Sequence, residues 1–216
     1  MKTMMVKVLI RKSKPGKLVK KATALVTSVS LVLTTIASSF APASAQVITA
    51  PTAPIEFRPN VTSSGNGTPT LNIVKPSSGG VSHNKLREYN IDTRGLILNN
   101  SGLGGTSIIG GKVESNPNLV GGSSAKIIVN EVTGSRRSNL NGVTEVFGSK
   151  ADVIVANPNG IDCMGCGFIN TGRATLTTGA PLIDYNAGTV GLETRSGDIT
   201  SHGPHPPMTM VPIPAP

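Results

Sequence analysis

From about Ser82 to Thr194 the chain is written in runs of four to seven residues rich in Val, Ile and Thr, each cut off by a cluster of Asn, Gly, Pro or Asp. That grammar leaves no stretch of ten residues with helical 3.6-residue periodicity, and it dictates short strands joined by sharp turns. The clearest runs are 95–98, 106–109, 126–132, 143–147, 151–156, 173–178 and 189–192. In Arg173 to Thr178, Ala174 and Leu176 fall on one face and Arg173, Thr175 and Thr177 on the other, the pattern of a half-buried strand. In Ala151 to Asn157 the apolar residues are almost continuous, which predicts a strand covered on both sides. Asn141-Gly142 and Asn159-Gly160 supply corners that tolerate a left-handed backbone.

Two all-β architectures fit this text, a sandwich and a right-handed parallel β-helix. Only 3% of the residues are aromatic, while Gly, Asn, Thr, Val and Ile abound, and this favours the helix, in which small residues stack from coil to coil. Asn-Pro-Asn occurs at Asn116-Pro117-Asn118 and again at Asn157-Pro158-Asn159, a separation that suits two coils of about 20 residues. Gln46 to about Gly80, rich in Pro, Thr, Ser, Asn and Gly, reads as a cap or irregular lead-in.

The first 21 residues hold eight basic side chains and no acid, and Ala22 to Phe40 carries no charge. Ala43-Ser44-Ala45 follows as a small-x-small site. Residues 1–45 therefore read as an extended secretory signal cleaved between Ala45 and Gln46. A membrane anchor is the competing reading; Ser and Thr dilute the apolar run and weaken its preference for hydrocarbon. With the signal removed, the formal charge falls from +9 to +1, since 12 of the 20 bases and all 11 acids remain. The basic excess belongs to targeting, and five scattered aromatics offer no stacking platform, so nucleic acid is not an expected partner.

Cys163 and Cys166 are the only two cysteines. A metal knuckle, a thiol redox pair and a small disulfide are the three readings of such a pair, and an oxidising destination shifts the balance toward the disulfide.

Particular residues then carry a resemblance. Asn99 to Ser101, Asn116 to Leu119 (NPNL), Ala125 to Gly134, Ser138 to Ile161 (ending VANPNGI) and Cys166 to Gly179 (CGFINTGRATLTTG) closely resemble the N-terminal secretion domain of two-partner secretion exoproteins. That family includes filamentous haemagglutinins, large haemolysins and contact-dependent growth-inhibition effectors of Gram-negative bacteria. The match covers roughly Ser82 to Leu192. It implies a right-handed parallel β-helix with an N-terminal cap and extra β-hairpins, over a domain spanning 46–194. It further implies passage through the general secretion machinery, recognition by the periplasmic POTRA domains of a partner outer-membrane transporter, and contact with membranes only in transit. A secreted or cell-surface destination follows, where haemagglutinin relatives meet host or neighbouring bacterial surfaces.

By the same resemblance, Asn116, Pro117, Asn118 and Leu119, and Asn157, Pro158, Asn159, Gly160 and Ile161, matter for secretion, either as transporter contacts or as folding motifs. Asn bonding its own backbone before a φ-fixing Pro makes a good corner unaided, which favours the folding role. For the cysteines, one pair offers half a zinc site, and Gly165 and Gly167 mark a turn rather than the helix N-terminus of a redox motif. Some members of the family carry this pair, growth-inhibition effectors among them, and a Cys163–Cys166 disulfide tightening the corner is the expectation. No cofactor is expected. The acids are scattered without an acid–base pair, so an enzyme, such as a polysaccharide-active one, is not expected. A surface adhesin is the rival role, with Arg136-Arg137 as a candidate glycan contact. Residues 195–216 depart from the family: six prolines follow Gly203, a composition read as a disordered tail that cannot continue a β-ladder, as in a truncated or frameshifted chain.

Overall fold

The computed structural model describes residues 46–193, 197–202 and 209–211. The expected signal at 1–45, with Ala45 of the expected cleavage site, and most of the proline-rich tail lie outside the described residues. Strands are numbered along the chain.

The chain is all-β, and its sheets are mainly parallel. The largest sheet orders β1 (Val47–Thr49), β4 (Val81–Tyr89), β8 (Ile127–Val132), β11 (Ala151–Ala156), β14 (Thr171–Thr177) and β18 (Thr209–Val211). A second sheet orders β2 (Asn60–Ser63), β3 (Pro69–Asn72), β5 (Leu96–Asn100), β10 (Val143–Gly148) and β13 (Gly167–Ile169). A third stacks β9 (Ser138–Leu140), β12 (Ile161–Met164) and β17 (Ile199–His202). Following the chain, β10, β11 and β12 visit the second, first and third sheets in turn, and β13 returns to the second, so the backbone winds in coils. All pairs within the winding are parallel; β1 on β4 and β2 on β3 are antiparallel and close the N-terminal edge.

Register places like on like. Leu71, Leu98 and Val146 are successive partners in the second sheet, and Ile128 and Val153 in the first. These side chains, with Leu86, Leu140, Ile161 and Leu176, fill the space between the sheets. Each fully buried aliphatic side chain of this kind contributes about 1.5–3 kcal/mol. Two hairpins lie over the outer faces. Ile109, in the turn between β6 (Gly105–Ser107) and β7 (Gly111–Val113), and Val113 of β7 pack on Ile97 and Phe147. The hairpin of β15 (Ala180–Asp184) and β16 (Thr189–Glu193) brings Ile183 and Val190 to Val81, Val129 and Ile154.

The strand at 151–156 is covered on both sides, Val153 and Val155 facing inward and Ile154 facing the hairpin. On β14, Thr175 and Thr177 are buried alongside Ala174 and Leu176, so the strand is not half-solvated as its alternation suggested. The winding begins at Pro69, earlier than the expected lead-in boundary. It also continues past 194: Ile199–His202 pairs parallel with β12, and Thr209–Val211 with β14. Both segments lack proline, so their N–H groups remain available to a ladder. The Asn-Pro-Asn spacing does not measure two coils. Val143 opposes Gly167, 24 positions on, but Leu96 opposes Thr144, 48 positions on, because the first hairpin is inserted in that coil.

Candidate functional site: two asparagine corners

The two Asn-Pro-Asn segments occupy different corners. Asn116 follows β7 on the way from the second sheet to the first, whereas Asn157 ends β11 on the way from the first sheet to the third. No hydrogen bond joins them among the described residues.

Their internal chemistry is nonetheless the same. Asn116 is fully buried and donates Nδ2 to the carbonyl of Ile73 on the preceding coil (3.0 Å) and to that of Asn99 on its own coil (2.8 Å), while its Oδ1 accepts the Asn118 amide at 2.9 Å. Asn118 adds a second tie, Nδ2 to Ile73 O at 3.0 Å. Leu119 donates its amide to Asn116 O and drops its side chain into the core. Asn157, also fully buried, donates Nδ2 to Arg136 O and Ser138 Oγ, both at 2.9 Å, and accepts the Asn159 amide at 2.9 Å. Asn159 reaches Gly134 O at 2.8 Å, and Gly160 closes the turn on Asn157 O. In each corner the first Asn turns the chain by bonding two residues ahead, and its amide spends both protons on polar groups of neighbouring strands and turns. Pro117 and Asn118 are exposed, and Pro158 and Asn159 are half-exposed. Gly160 holds φ at 105° and a Cβ there would collide with the Arg137 guanidinium, so the corner requires glycine.

Arg137 straps the same corner. It pairs with Asp162 (Nη2 to Oδ1, 2.7 Å), and this hydrogen bond holds the Asp162 carboxyl below its ordinary range. Arg136 lies 3.4 Å from Glu88. Both arginines of the candidate glycan contact thus face carboxylates of their own chain. Cys163 and Cys166 are joined by a disulfide with Cα atoms 5.3 Å apart; both are buried in the main core and bridge β12 to β13.

Two polar features were not singled out by sequence reasoning. Glu145, buried on β10, accepts Ser107 Oγ (2.7 Å) and the amides of Ile108 and Ile109 (both 2.9 Å), fastening the first hairpin. His83 on β4 meets Glu131 Oε2 at 2.7 Å and the Tyr185 hydroxyl at 2.8 Å, with the Phe57 ring 5.1 Å away, and so ties the second hairpin and the short 3-10 turn Ile55–Phe57 to the first sheet. Burial opposes ionisation of Glu131, but His83 and Lys85 together hold its carboxyl below the ordinary value.

Stacked parallel coils, corners locked by buried asparagines and hairpins laid over the outer faces define an all-β protein wound in parallel coils. The chain belongs to the TPS secretion domain family of two-partner secretion exoproteins, which it matches over residues 45–204. It is 52% identical over 139 residues to the 16S rRNA endonuclease CdiA of Enterobacter cloacae, covering 64% of this chain and 4% of that protein. It is 47% identical over 161 residues to Toxin CdiA of Yersinia pestis, covering 74% and 5%, and 44% identical over 126 residues to the Hemolysin of Serratia marcescens, covering 58% and 8%. The crystal structure of a filamentous hemagglutinin secretion domain superimposes with a TM-score of 0.64 at 39% identity, over 72% of this chain and 49% of the other. The chain therefore spans only a small part of the length of the curated relatives it matches.

Proposed function

We propose that this chain is the export-directing domain of a growth-inhibition or haemagglutinin-type exoprotein. It crosses the inner membrane through the general secretion machinery, is recognised by the POTRA domains of a partner outer-membrane transporter, and emerges to wind as a right-handed parallel β-helix at the cell surface or in the medium. Right-handed winding is the overwhelming preference of parallel crossovers. The antiparallel strands β1 and β2 act as the cap and the two hairpins as the extra elements. The role is one of binding and folding, without catalysis, and needs no cofactor. Engagement of Glu145, Glu131 and Asp162 in structural contacts supports the non-catalytic reading. Identities of 47–52% to CdiA chains against 39% to the filamentous hemagglutinin domain support the growth-inhibition branch.

The observation that carries the proposal is the ladder itself: strands of each coil hydrogen-bond to the equivalent strands of the coil before, as β5, β10 and β13 do in the second sheet. A chain emerging N-terminus first meets a completed edge onto which its next segment adds, and each addition opposes backward sliding. A partner presenting a sheet edge would hold such segments as added strands before they fold.

The test is co-expression of the full chain in a Gram-negative host with and without a partner transporter, measuring the protein in the medium and its β-sheet circular dichroism. Transporter-dependent appearance of folded product is expected; equal release without the transporter would sink the reading. Pro117→Ala and Asn116→Ala separate the roles of the NPNL corner. If only the buried Asn116 matters, and in proportion to lost stability, the motif acts through folding. Export lost in Pro117→Ala at unchanged stability would make it a transporter contact.

A further inference from the structure

We propose that the concavity between two stacked corners, 75–80 and 121–126, binds a tetrahedral oxyanion ester, a phosphate or sulfate carried on a body of sugar size. The site encloses about 500 Å³ and presents Lys75, Ser77, Ser78, Ser123, Ser124 and Lys126, with no carboxylate in its wall. Its two corners are consecutive turns of the winding, for Val81 and Ile127 are register partners. The walls are prebuilt. Lys126 N donates to Gly80 O at 2.8 Å, Gly80 N to Ser77 O at 2.9 Å, and Gly122 N to the carbonyl of Leu119 at 2.9 Å, the last residue of the first asparagine corner.

Two cations of this place are left unneutralised by the chain, as are Arg58, Arg87 and Lys150 elsewhere among the described residues, but only these two share a concavity with no carboxylate in its wall. Lys85, Arg94, Lys112, Arg136, Arg137 and Arg173 each lie within ion-pair distance of a carboxylate of the chain. Lys75 and Lys126 make no ion pair among the described residues, and both face the concavity. The hydroxyls of Ser123 and Ser124 likewise make no hydrogen bond among the described residues. Ser77 Oγ accepts the Val81 amide at 3.2 Å, which leaves its own proton free to donate. Gly80, at φ +87°, aligns one cation: a Cβ there would press to 3.0 Å against Cγ and Cδ of Lys126, so the absent side chain is what lets the lysine stem lie across the corner.

Ligand chemistry follows from the donors. Lysine ammonium groups are point charges with rotatable protons and suit an oxyanion approached from several directions; the planar fork of Arg, which suits a carboxylate, is missing. A cavity of this size exceeds the needs of a bare ion and matches sites for small organic ligands, which calls for a carrier. A phosphate monoester carries more charge than a sulfate monoester at neutral pH and gains more from two lysines.

The test titrates the full chain with glucose 6-phosphate, glucose 6-sulfate, inorganic phosphate and glucose, following amide shifts by NMR at low and physiological salt. Saturable binding of both esters is expected, the phosphate tighter, with shifts confined to 75–80 and 121–126. Lys75→Ala or Lys126→Ala weakens it about tenfold each, and the double variant abolishes it, while Lys112→Ala leaves it unchanged. Thermal unfolding verifies that these surface variants remain folded. Equal binding by the double variant, or by glucose, overturns the proposal. Inorganic phosphate binding as tightly as the sugar ester overturns the carrier and leaves a free-anion site.

Discussion

Asn116 and Asn157 each place a fully buried amide where the chain turns, and each spends both Nδ2 protons there while its Oδ1 accepts an amide two residues on. Truncation to alanine removes three hydrogen bonds at each corner; Ile73 O keeps Asn118 as a partner, but every group left buried and unpaired costs about 1–3 kcal/mol. Asn116→Ala and Asn157→Ala are therefore each expected to lose about 3 kcal/mol or more in urea unfolding, whereas Pro117→Ala, exposed and outside those bonds, loses less than about 1 kcal/mol. Acid acts on a different pair of residues. The hydrogen bond from Arg137 lowers the Asp162 carboxyl, and His83 and Lys85 lower that of Glu131 against its burial. A carboxyl whose folded pKa is depressed adds stability above its ordinary unfolded value, and that stability disappears as pH falls through the lower folded one. The urea midpoint is expected to be flat near neutrality and to drop below about pH 4.5. Asp162→Asn shrinks the drop without removing it, and only modestly, because the Arg137 pair is partly solvated; an undiminished drop in that variant would remove Asp162 from the explanation.

The two hairpins are held by several polar ties each as well as by apolar contacts. Glu145 satisfies the turn of the first hairpin with three hydrogen bonds, so Glu145→Gln, which swaps one acceptor oxygen for a donor facing those protons, is expected to cost about 2 kcal/mol. Amide exchange would speed up most at 105–113 if the hairpin opens on its own; uniform acceleration across all strands would show that it is part of the global unit. The disulfide bridges a very short loop, and Cys163→Ala with Cys166→Ala is expected to lose about 2 kcal/mol in chain entropy, plus the buried sulfur contacts, again read from urea midpoints. Elements with apolar repeats were legible in sequence: 126–132, 143–147 and 151–156 coincide closely with β8, β10 and β11. The strand Val81–Tyr89 was not, because three of its buried positions, Ser82, His83 and Asn84, are polar and erase the alternation on which a reading relies. Those residues are tolerated inside because the winding supplies partners: Ser82 donates to Val74 O, and Asn84 to Val129 O and Asn130 Oδ1. The third sheet was missed for a related reason. Its strands are only three or four residues long and hold Ser138, Asn139 and Asp162 among their apolar positions. Both asparagine corners stood out as motifs, but their separate places in the winding depend on an inserted hairpin that spacing alone cannot reveal.

At the scale of the whole molecule, folding is expected to start where a local pairing leaves an open edge. The antiparallel pair β2 and β3 joins Ser63 to Pro69 across a short connection, and β3 then offers an edge to β5, with Thr70 opposite Ile97. The parallel rungs, at either end, close over far more chain than that hairpin: Leu96 reaches Thr144 across the first hairpin. Ile161 reaches its partner Ile199 only after the second hairpin has been spanned, and Thr175 reaches Thr209 across a comparable distance. Closure entropy grows with loop length, and an edge must exist before a parallel strand can add to it, so the β2–β3 hairpin, the short closure that leaves an edge open to the winding, is the cheaper nucleus. Leu71 and Leu176, both fully buried in the same core, sit near opposite ends of the winding and allow that order to be measured. Truncation of either to alanine should destabilise by about 2–5 kcal/mol, enough for reliable kinetics. In stopped-flow refolding, Leu71→Ala is expected to slow folding with little change in unfolding, while Leu176→Ala leaves folding nearly unchanged and speeds unfolding. The reverse gradient would place the nucleus at the C-terminal coils, which emerge last from any transporter that takes the N-terminus first. Folding could not then follow export coil by coil, and the ladder would have to form only after the whole domain was outside.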